Sequence, residues 1–223
     1  MKKSLEVFSD FDGTITIKDT LDHIFPKLGG AASVALDDRW ARGEIGSKEC
    51  LTLQMPLLKG GWPAIENELK EVKLDPTFLP FAHWLKEMSV PLIVVSDGLD
   101  MIIRHILEKS GVLALGLVQE VRSNRLSVMP GHELSVSFPF AASTRDCSGG
   151  TCKCTALGEP GQERYRVVIG DGLSDKCWAK EADLLFAKGK LLDFCQGNNI
   201  PCTPWQDFSD IRQALLQKPF LFT

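Results

Sequence analysis

The chain has 223 residues, of which 44% are hydrophobic and 24% are charged, and its formal net charge is −4 at pH 7. These values are typical of a globular protein with one domain and an elaboration. They exclude a large nucleic-acid surface, which requires a basic face, but a small pocket can still bind an anionic metabolite.

The first predicted element is a short strand over residues 5–10, LEVFSD. Its apolar run is too short for the ~7–15 residues of a signal-peptide core. No stretch of the chain approaches the ~20 apolar residues of a membrane span. The sequence therefore predicts a cytoplasmic protein without a membrane partner.

A block of helices is predicted from about residue 19 to residue 90. Asp19 is predicted to cap the first helix, which closes at Gly29 and Gly30. Ser47 is predicted to cap a later helix, SKECLTLQMPLL. The remaining helices of the block are predicted at AASVALDDRWARG, WPAIENELKEV and DPTFLPFAHWLKEMS.

The second half of the chain alternates strands with helices. Residues 90–97, VPLIVVSD, form a continuous apolar run that predicts a fully buried parallel strand, and the helix that follows ends at Gly111. A hairpin is predicted from the segments that flank Pro130 and Gly131, whereas the polar residues 141–152 predict a loop. The other predicted elements are strands at VLALGLVQEV, RYRVVIGDG and ADLLFA, a helix from about Ser174, and a closing helix at WQDFSDIRQALLQ.

This alternation predicts an α/β fold with a doubly wound, Rossmann-like and mainly parallel sheet. Residues 1–14 and 81–223 are predicted to form this core. The helical block at residues 15–80 lies between the first two core strands and is predicted to be an inserted cap domain. The hairpin is predicted to be a second, smaller insertion.

Three predicted strands end in an acidic residue, namely Asp10, Asp97 and Asp171. One such residue is equally well explained as a helix N-cap or a turn residue. Three in one chain indicate a shared site, because the carboxyl ends of parallel strands meet at one edge of a sheet. Clustered carboxylates repel one another unless a hard cation binds them, and Mg²⁺ prefers carboxylates, water and substrate oxygens. The sequence therefore predicts Mg²⁺ and a phosphate-bearing substrate.

Four short motifs, of which the first lies at the end of the first predicted strand, resemble those of the haloacid dehalogenase superfamily of phosphohydrolases. Their order and spacing match the family over nearly the whole chain. The helical insertion resembles the small cap of the phosphoserine-phosphatase-like branch of this superfamily. The motifs are DFDGT with Asp10 and Asp12, SDG with Ser96, the later Lys153, and GDGLSD with Asp171 and Asp175.

The resemblance implies that Asp10 is the nucleophile and forms an aspartyl-phosphate. It implies that Asp12 is the general acid for the leaving oxygen and then the base for the attacking water. A spacing of two residues on an extended chain puts both carboxylates on the same side and Phe11 in the core. An acid at Asp12 favours phosphate esters over halides, because a halide leaving group needs no proton.

The resemblance also implies a phosphate-binding set. Ser96 and the backbone N–H of Asp97, with Gly98, are expected to hold phosphate oxygens at a helix N-terminus. Thr14 is expected to help bind phosphate or to act at the hinge of the cap. Lys153 is expected to offset the charge of the phosphoryl group and of the nucleophile, the alternative being a solvated surface lysine.

The metal ligands implied by the resemblance come from the same motifs. Asp10 and Asp171 are expected to bind Mg²⁺ through their carboxylates, and Asp12 through its backbone carbonyl. Asp175 is expected either to bind Mg²⁺ directly or to support the residues that do.

The sequence of the predicted cap narrows the range of expected substrates. In phosphoserine phosphatases an acidic cap residue binds the substrate ammonium group and an arginine binds its carboxylate. Asp19 aligns with the acidic position, but the arginine position falls on or near Gln54, and this loss is not conservative. The group of 2-hydroxy-3-keto-5-methylthiopentenyl-1-phosphate phosphatases is a better match, because it shares the hairpin insertion and a cysteine-rich loop before the lysine. The expected partner is thus a small phosphorylated metabolite.

Several alternatives stay open from the sequence. Phosphoserine phosphatase, a phosphotransferase and a non-catalytic phosphate-binding regulatory protein use the same fold. A homodimer is a further hypothesis, with the hairpin at Pro130 and Gly131 as the candidate contact.

The cysteines form two groups. Cys147, Cys152 and Cys154 have the spacing C-x4-C-x-C, which is not a common zinc pattern, and no fourth ligand is near them in the sequence. They are predicted to be loop thiols without function, with a redox pair or a metal site as the alternative. The remaining cysteines are predicted to be small buried apolar residues, namely Cys50, Cys177, Cys195 and Cys202.

Overall fold

The computed structural model describes residues 4–142, 147, 149–158 and 164–222. Its centre is a seven-stranded sheet with the strand order β4-β3-β2-β1-β5-β6-β7. All neighbouring strands pair in parallel except β3 and β4, which pair antiparallel and form the predicted hairpin at one edge. The strands are β1 Ser4–Ser9, β2 Leu92–Leu99, β3 Glu120–Val128, β4 Leu134–Ser137, β5 Arg164–Gly170, β6 Leu184–Ala187 and β7 Thr203–Pro204. The prediction of a mainly parallel α/β sheet is therefore confirmed.

Eight α-helices connect and cover the strands within the described residues. They are α1 Thr20–Ala41, α2 Ser47–Gln54, α3 Gly61–Glu68, α4 Phe78–Glu87, α5 Asp100–Lys109, α6 Lys153–Ala156, α7 Gly189–Gly197 and α8 Phe208–Leu216. Short 3-10 helices lie at Met55–Leu57, Leu69–Glu71, Pro130–His132, Leu173–Cys177 and Pro219–Leu221. Over the part of the chain that the structure describes, none of the helices has the length and apolar character needed to cross a membrane.

Both faces of the sheet are buried, because successive side chains of each strand point to opposite faces. On β1, Val7 belongs to one apolar cluster and Phe8 to the other. The first cluster packs against α4, α5 and α8, and the second against α6, α7 and Trp178. Phe11 is fully buried in the first cluster, as predicted. The exposed parts of the sheet are therefore its ends, and the carboxyl ends carry the acidic residues.

The segment between β1 and α4, residues 15–77, forms a helical insertion. Its two connections to the core pair with each other through an antiparallel bridge between Thr16 and Leu74. The predicted boundary at residue 80 falls inside α4, whose Phe78 contacts Phe208 of α8 with ring centroids 5.2 Å apart. The start of α4 thus packs against the core helix α8.

Of the two N-caps predicted for the insertion helices, one is confirmed and the other is wrong. Asp19 caps α1, since its Oδ1 accepts hydrogen bonds from the backbone N–H groups of Leu21 and Asp22. A break within α1 lies at Gly30, where φ is +65°, as the paired glycines predicted. The prediction that Ser47 caps α2 is wrong, because Gly46 holds that position. The Ser47 hydroxyl instead accepts a hydrogen bond from the distant Gly150 N–H.

Some predicted elements of the second half also differ from the structure. VLALGLVQEV is not a strand over its whole length, since β3 begins only at Glu120 and residues 112–116 form turns. Val112, Leu117 and Val118 are nevertheless buried, whereas Leu115 is exposed, so the apolar run reflects a partly buried connection. The helix predicted from Ser174 is a 3-10 helix, and α7 was not predicted. The described part of the predicted loop at 141–152 has no helix or strand, while residues 143–146 and 148 of that loop lie outside the described residues.

Candidate active site

The acidic strand ends meet beside a cavity of about 420 Å³. Asp10 and Asp171 directly follow β1 and β5, and Asp97 lies two residues before the end of β2. These three strands are neighbours in the sheet, so the positions of the residues at one edge follow from the topology. The core side of the cavity is lined by Asp10, Asp12, Gly13, Ser96, Asp97, Gly98 and Asp171. The opposite side belongs to the helical insertion and is lined by residues that include Asp19, Asp22, Asp37, Trp40, Ser47, Cys50 and Gln54.

Lys153 lies beneath this cavity between two carboxylates. Its Nζ is 2.8 Å from Asp10 Oδ1 and 2.8 Å from Asp175 Oδ1. The Lys153 side chain is 0% exposed, and that of Asp175 is also 0% exposed. A solvated surface lysine is therefore excluded. Trp178 supports the ammonium group from one side, with its ring centroid 5.1 Å from Nζ.

The charges of this cluster do not balance. Burial and the charge of Asp175 raise the pKa of Asp10 well above its usual value, although Lys153 acts in the opposite direction. Burial alone would lower the pKa of Lys153, but the charges of Asp10 and Asp175 outweigh it and raise that pKa. The Lys153 ammonium group is thus a single buried cation beside several carboxylates, and the charge of a third carboxylate, Asp171, also raises the pKa of Asp10. The cluster would accept a further positive charge.

Asp171 and Asp175 are held by short local contacts. Asp175 Oδ2 accepts hydrogen bonds from the backbone N–H groups of Asp171 and Gly172, at 3.0 and 2.9 Å. Asp171 Oδ1 accepts a hydrogen bond of 2.7 Å from the Thr14 hydroxyl. Burial and the charge of Asp175 raise the pKa of Asp171 to about 6.

The carboxylates of Asp10, Asp171 and Asp175 offer one oxygen atom each within 4.8 Å of one another. Hard oxygen donors with excess negative charge are the donor set that suits Mg²⁺. The residues present therefore fit this ion.

Asp12 lies at the junction between the core and the helical insertion. Its Oδ1 accepts hydrogen bonds from the backbone N–H and the hydroxyl of Thr20, the first residue of α1. Its Oδ2 accepts a hydrogen bond of 3.3 Å from the Ser96 hydroxyl. Burial raises the pKa of Asp12, even though the bonds from Thr20 and Ser96 favour its charged form. Asp12 is thus able to retain a proton at a higher pH than an exposed aspartate.

The SDG segment at the end of β2 is closely packed. The Gly98 N–H donates to Ser96 Oγ at 2.9 Å. A Cβ atom at Gly98 would lie 2.5 Å from Asp12 Oδ2, so no other residue fits there without moving the acid. Asp97 lines the cavity, but its Oδ1 accepts hydrogen bonds from the Thr151 N–H and the Asn124 amide, at 2.9 and 3.0 Å. Its side chain thus holds the segment that leads to Lys153.

The insertion side of the cavity is acidic. Burial, followed by the charges of Asp12 and Asp22, raises the pKa of Asp19 well above its usual value. Gln54 is 1% exposed, and its Nε2 donates to Asp37 Oδ1 at 2.7 Å and to the hydroxyl of Ser33 at 3.1 Å. Burial also raises the pKa of Asp37. Among the described residues that line the cavity, the positive side chains are lysines and none is an arginine.

The structure brings the predicted site residues together, although three of them do not line the cavity. The buried Thr14 hydroxyl is bonded to Asp171, and Lys153 and Asp175 are paired with each other, with Lys153 also bonded to Asp10. Residues that the sequence interpretation missed are Thr20, Asp37 and Asn124. A threonine directly after the Asp19 cap was a usable signal for Thr20, whereas the contacts of Asp37 and Asn124 are tertiary and have no local pattern.

A family model described as haloacid dehalogenase-like hydrolase matches residues 7–180 of the chain. The chain is 31% identical over 220 residues to the 2-hydroxy-3-keto-5-methylthiopentenyl-1-phosphate phosphatase of Geobacillus kaustophilus, covering 96% of this chain and 97% of that protein. It is 30% identical over 229 residues to a polyol phosphate phosphatase of Saccharomyces cerevisiae, covering 95% of this chain and 92% of the yeast protein.

A solved structure with the same fold is a substrate-bound phosphoserine phosphatase complex. Its TM-score with this chain is 0.70 at 21% identity, and the match covers 96% of this chain and 99% of the other. At this identity the similarity establishes the fold, with its parallel sheet and its helices.

Proposed function

The chain belongs to the haloacid dehalogenase-like hydrolases and is a phosphoric monoester hydrolase, and from this premise we propose that it hydrolyses a small phosphorylated metabolite through a phosphorylated Asp10, with Mg²⁺ as cofactor. The observation that carries the proposal is the position of Asp10. Its carboxylate lines the cavity while its Oδ1 is bonded to the buried Lys153 and to the Phe11 N–H, at 2.8 and 2.7 Å.

Asp10 is proposed to attack through Oδ2. The two contacts at Oδ1 fix the orientation of the carboxylate, and no hydrogen bond from the described residues reaches Oδ2. The new bond joins Oδ2 to phosphorus, and the bond from phosphorus to the ester oxygen breaks. Water then attacks the phosphorus of the acyl phosphate, which releases inorganic phosphate and regenerates Asp10.

Asp12 is proposed to move the protons. It donates its proton to the leaving ester oxygen and later accepts a proton from the attacking water. The raised pKa of Asp12 supports the first role, because the acid must be protonated when the substrate arrives. Its contacts with Thr20 and Ser96 hold the carboxyl group toward the cavity.

The phosphate group is proposed to bind at the SDG segment. Ser96 and the backbone of Asp97 and Gly98 line the cavity opposite the helical insertion and lie at the start of α5, where N–H groups attract an anion. Lys153 would offset charge that the phosphoryl group brings to Asp10.

Asp10, Asp171 and the backbone carbonyl of Asp12 would hold Mg²⁺. When bound, the ion offsets the negative charge of the phosphoryl group and of the carboxylates. We assign a positioning role to Asp175, because its oxygens are already bonded to Lys153 and to two backbone N–H groups. Thr14 would position Asp171 in the same way.

The substrate is proposed to be the phosphate ester of a hydroxylated metabolite without a carboxylate group. The helical insertion is proposed to act as the cap that closes over it. Asp19, Asp22 and Asp37 line the insertion side of the cavity and would accept hydrogen bonds from substrate hydroxyl groups. They would repel a substrate carboxylate, and Gln54 is occupied by Asp37 and Ser33. A polyol phosphate or a methylthiopentenyl phosphate fits this cavity better than phosphoserine, consistent with the names of the two relatives.

Two measurements test the proposal. The Asp10→Asn variant is expected to lose Mg²⁺-dependent release of phosphate from an aryl phosphate, and wild-type turnover by this variant would refute the proposed nucleophile. A panel of polyol phosphates, methylthio-sugar phosphates and phosphoserine then ranks the substrates by kcat/KM. A preference for phosphoserine over all others would refute the proposed role of the acidic cavity wall.

A cytoplasmic location and a homodimer are two further proposals. The cytoplasmic location rests on the sequence alone. The homodimer is testable by light scattering. The hairpin turn that was expected to mediate it also contacts the helical insertion, since a Cβ at Gly61 would lie 2.6 Å from the backbone oxygen of His132.

A further inference from the structure

Four cysteine side chains lie together next to the lysine of the candidate active site. The sulfur atoms of Cys147, Cys154 and Cys177 are all within 4.8 Å of one another. The sulfur of Cys152 is 3.1 Å from that of Cys154. Cys152 is buried, while the other three are partly buried.

We propose that Cys147, Cys152, Cys154 and Cys177 bind a thiophilic divalent ion of the Zn²⁺ class, at a site separate from the Mg²⁺ site. Four thiolates around Zn²⁺ form a tetrahedron with Zn–S bonds of ~2.3 Å, which places the sulfur atoms roughly 4 Å apart. The sulfurs of Cys147, Cys154 and Cys177 already lie within 4.8 Å of one another, and that of Cys152 is 3.1 Å from Cys154. Sulfur ligands also select Zn²⁺ over Mg²⁺, which prefers oxygen.

The fourth proposed ligand, Cys177, was not expected from the sequence. The spacing C-x4-C-x-C on its own is incomplete as a zinc motif, because it supplies three cysteines. The fold brings Cys177 to Cys147 and Cys154 from the 3-10 helix Leu173–Cys177, which follows β5 in the sequence. A prediction of Cys177 as a simple buried apolar residue is therefore wrong, since it is partly exposed and joins the thiol cluster.

A metal explains this arrangement better than a disulfide. A disulfide joins one pair of sulfurs ~2 Å apart and leaves the others unlinked. Here the sulfurs of Cys152 and Cys154 are 3.1 Å apart, and a disulfide between them would leave Cys147 and Cys177, both within 4.8 Å of Cys154, unlinked. Sulfurs from two segments that are distant in the sequence and converge on one point are typical of a metal centre.

The ion would link the chain segments that position Lys153. Cys152 and Cys154 flank Lys153 in the sequence, and Cys177 follows Asp175 by two residues. Lys153 and Asp175 form the buried ion pair of 2.8 Å. The proposed ion thus links the segment that carries Lys153 to the turn that carries Asp175. Binding releases the thiol protons to solvent, because the ligands are thiolates.

The experiment uses the full chain, purified without chelator and then reconstituted with Co²⁺ as a spectroscopic substitute for Zn²⁺. We expect about one tightly bound zinc ion per chain as purified, by mass spectrometry of the metal. We expect a thiolate-to-cobalt charge-transfer band after reconstitution. Carboxylates do not give this band, so cobalt at the proposed Mg²⁺ site is not mistaken for the thiol site.

Variants locate the ion. Cys147→Ser and Cys177→Ser are expected to lose the zinc and the band, whereas Cys202→Ser, a partly buried cysteine outside the cluster, is expected to keep both. Asp10→Asn is also expected to keep both, so the result is independent of the proposed phosphatase mechanism. If the two cluster variants do not fold, the wild-type cobalt spectrum decides. A wild-type chain without zinc or a charge-transfer band, or one with a Cys152–Cys154 disulfide by peptide mass, would overturn the proposal.

Discussion

The Lys153→Met variant tests how the buried charges of the site affect the free energy of unfolding. Methionine keeps the approximate length and apolar volume of the lysine stem but removes the ammonium group. The ammonium group makes two ion pairs of 2.8 Å, and its partners Asp10 and Asp175 are almost completely buried. Three clustered carboxylates then remain without a cation.

The expected cost follows from this burial. Removing one partner of a buried ion pair destabilises a protein by about 3–5 kcal/mol, because it leaves an uncompensated buried charge. We expect a loss of this size at pH 8 in EDTA. The loss should shrink as the pH falls, because burial already raises the pKa of Asp10 and protonation then removes the repulsion.

The assay is urea unfolding followed by tryptophan fluorescence and circular dichroism, with the midpoint as the primary readout. Lys180→Met, at an exposed position, is the control and should change the free energy of unfolding by less than about 0.5 kcal/mol. The double variant Lys153→Met/Asp175→Asn should recover at least about 1 kcal/mol, since it removes one of the repelling charges. A Lys153→Met protein within about 1 kcal/mol of wild type in EDTA would refute this account of the cluster.

Three further predictions concern the acid, the metal and the close packing around the acid. Asp12→Asn should lower turnover of alkyl phosphates by about 10²–10⁴-fold but that of nitrophenyl phosphate much less, because only a poor leaving group needs a proton; equal losses for both would contradict the role of Asp12. Burial raises the pKa of Asp171 from 3.8 to about 6, so in metal-free protein its contribution to stability is full below about pH 4 and is lost as the pH rises to about 6. Protons compete with Mg²⁺ at this carboxylate, so the rise in Tm on adding Mg²⁺ should be present above about pH 6 and fade below it, and a rise independent of pH from 4 to 8 would contradict the proposed metal ligand. Gly98→Ala should lower kcat strongly, because its Cβ would lie 2.5 Å from Asp12 Oδ2, while Gly197→Ala, which has no atom within 4 Å of its Cβ, should not; wild-type kcat in Gly98→Ala would show that the Asp12 carboxyl is free to move.

The strand ends of the site were predictable from the sequence because they depend on local and topological rules. Continuous apolar runs such as residues 92–95 identify buried parallel strands. Parallel strands present their carboxyl ends at one edge, so Asp10 and Asp171 were expected to be neighbours before the structure was known. The cap of α1 at Asp19 is likewise local.

Other features depend on tertiary contacts and left no reliable local signal. Ser47 has the chemistry of an N-cap, but its hydroxyl bonds to Gly150, which is distant in the sequence. Val112 and Leu117 are buried in an apolar run that forms turns and an irregular connection, and burial alone does not separate a strand from such a connection. Cys177 joins the thiol cluster only because β5 and the following turn bring it there.

The substrate side was predictable only in part. The loss of an arginine at Gln54 was visible in the sequence. The consequence of this difference for the substrate was not predictable, because the contact of Gln54 with Asp37 joins α2 to α1. That contact places a carboxylate in the cavity wall and favours hydroxyl groups over a carboxylate in the substrate.

The central claim is that Asp10 is phosphorylated during turnover, and its most direct test is to trap the acyl phosphate. The full chain is mixed with Mg²⁺ and an aryl phosphate, quenched in acid and reduced with borohydride, which converts a phosphorylated aspartate to homoserine. We predict homoserine at position 10 in the peptide mass spectrum, and its absence without substrate. Reduction at Asp12 or Asp171 instead, or no reduced residue during rapid turnover, would contradict the account.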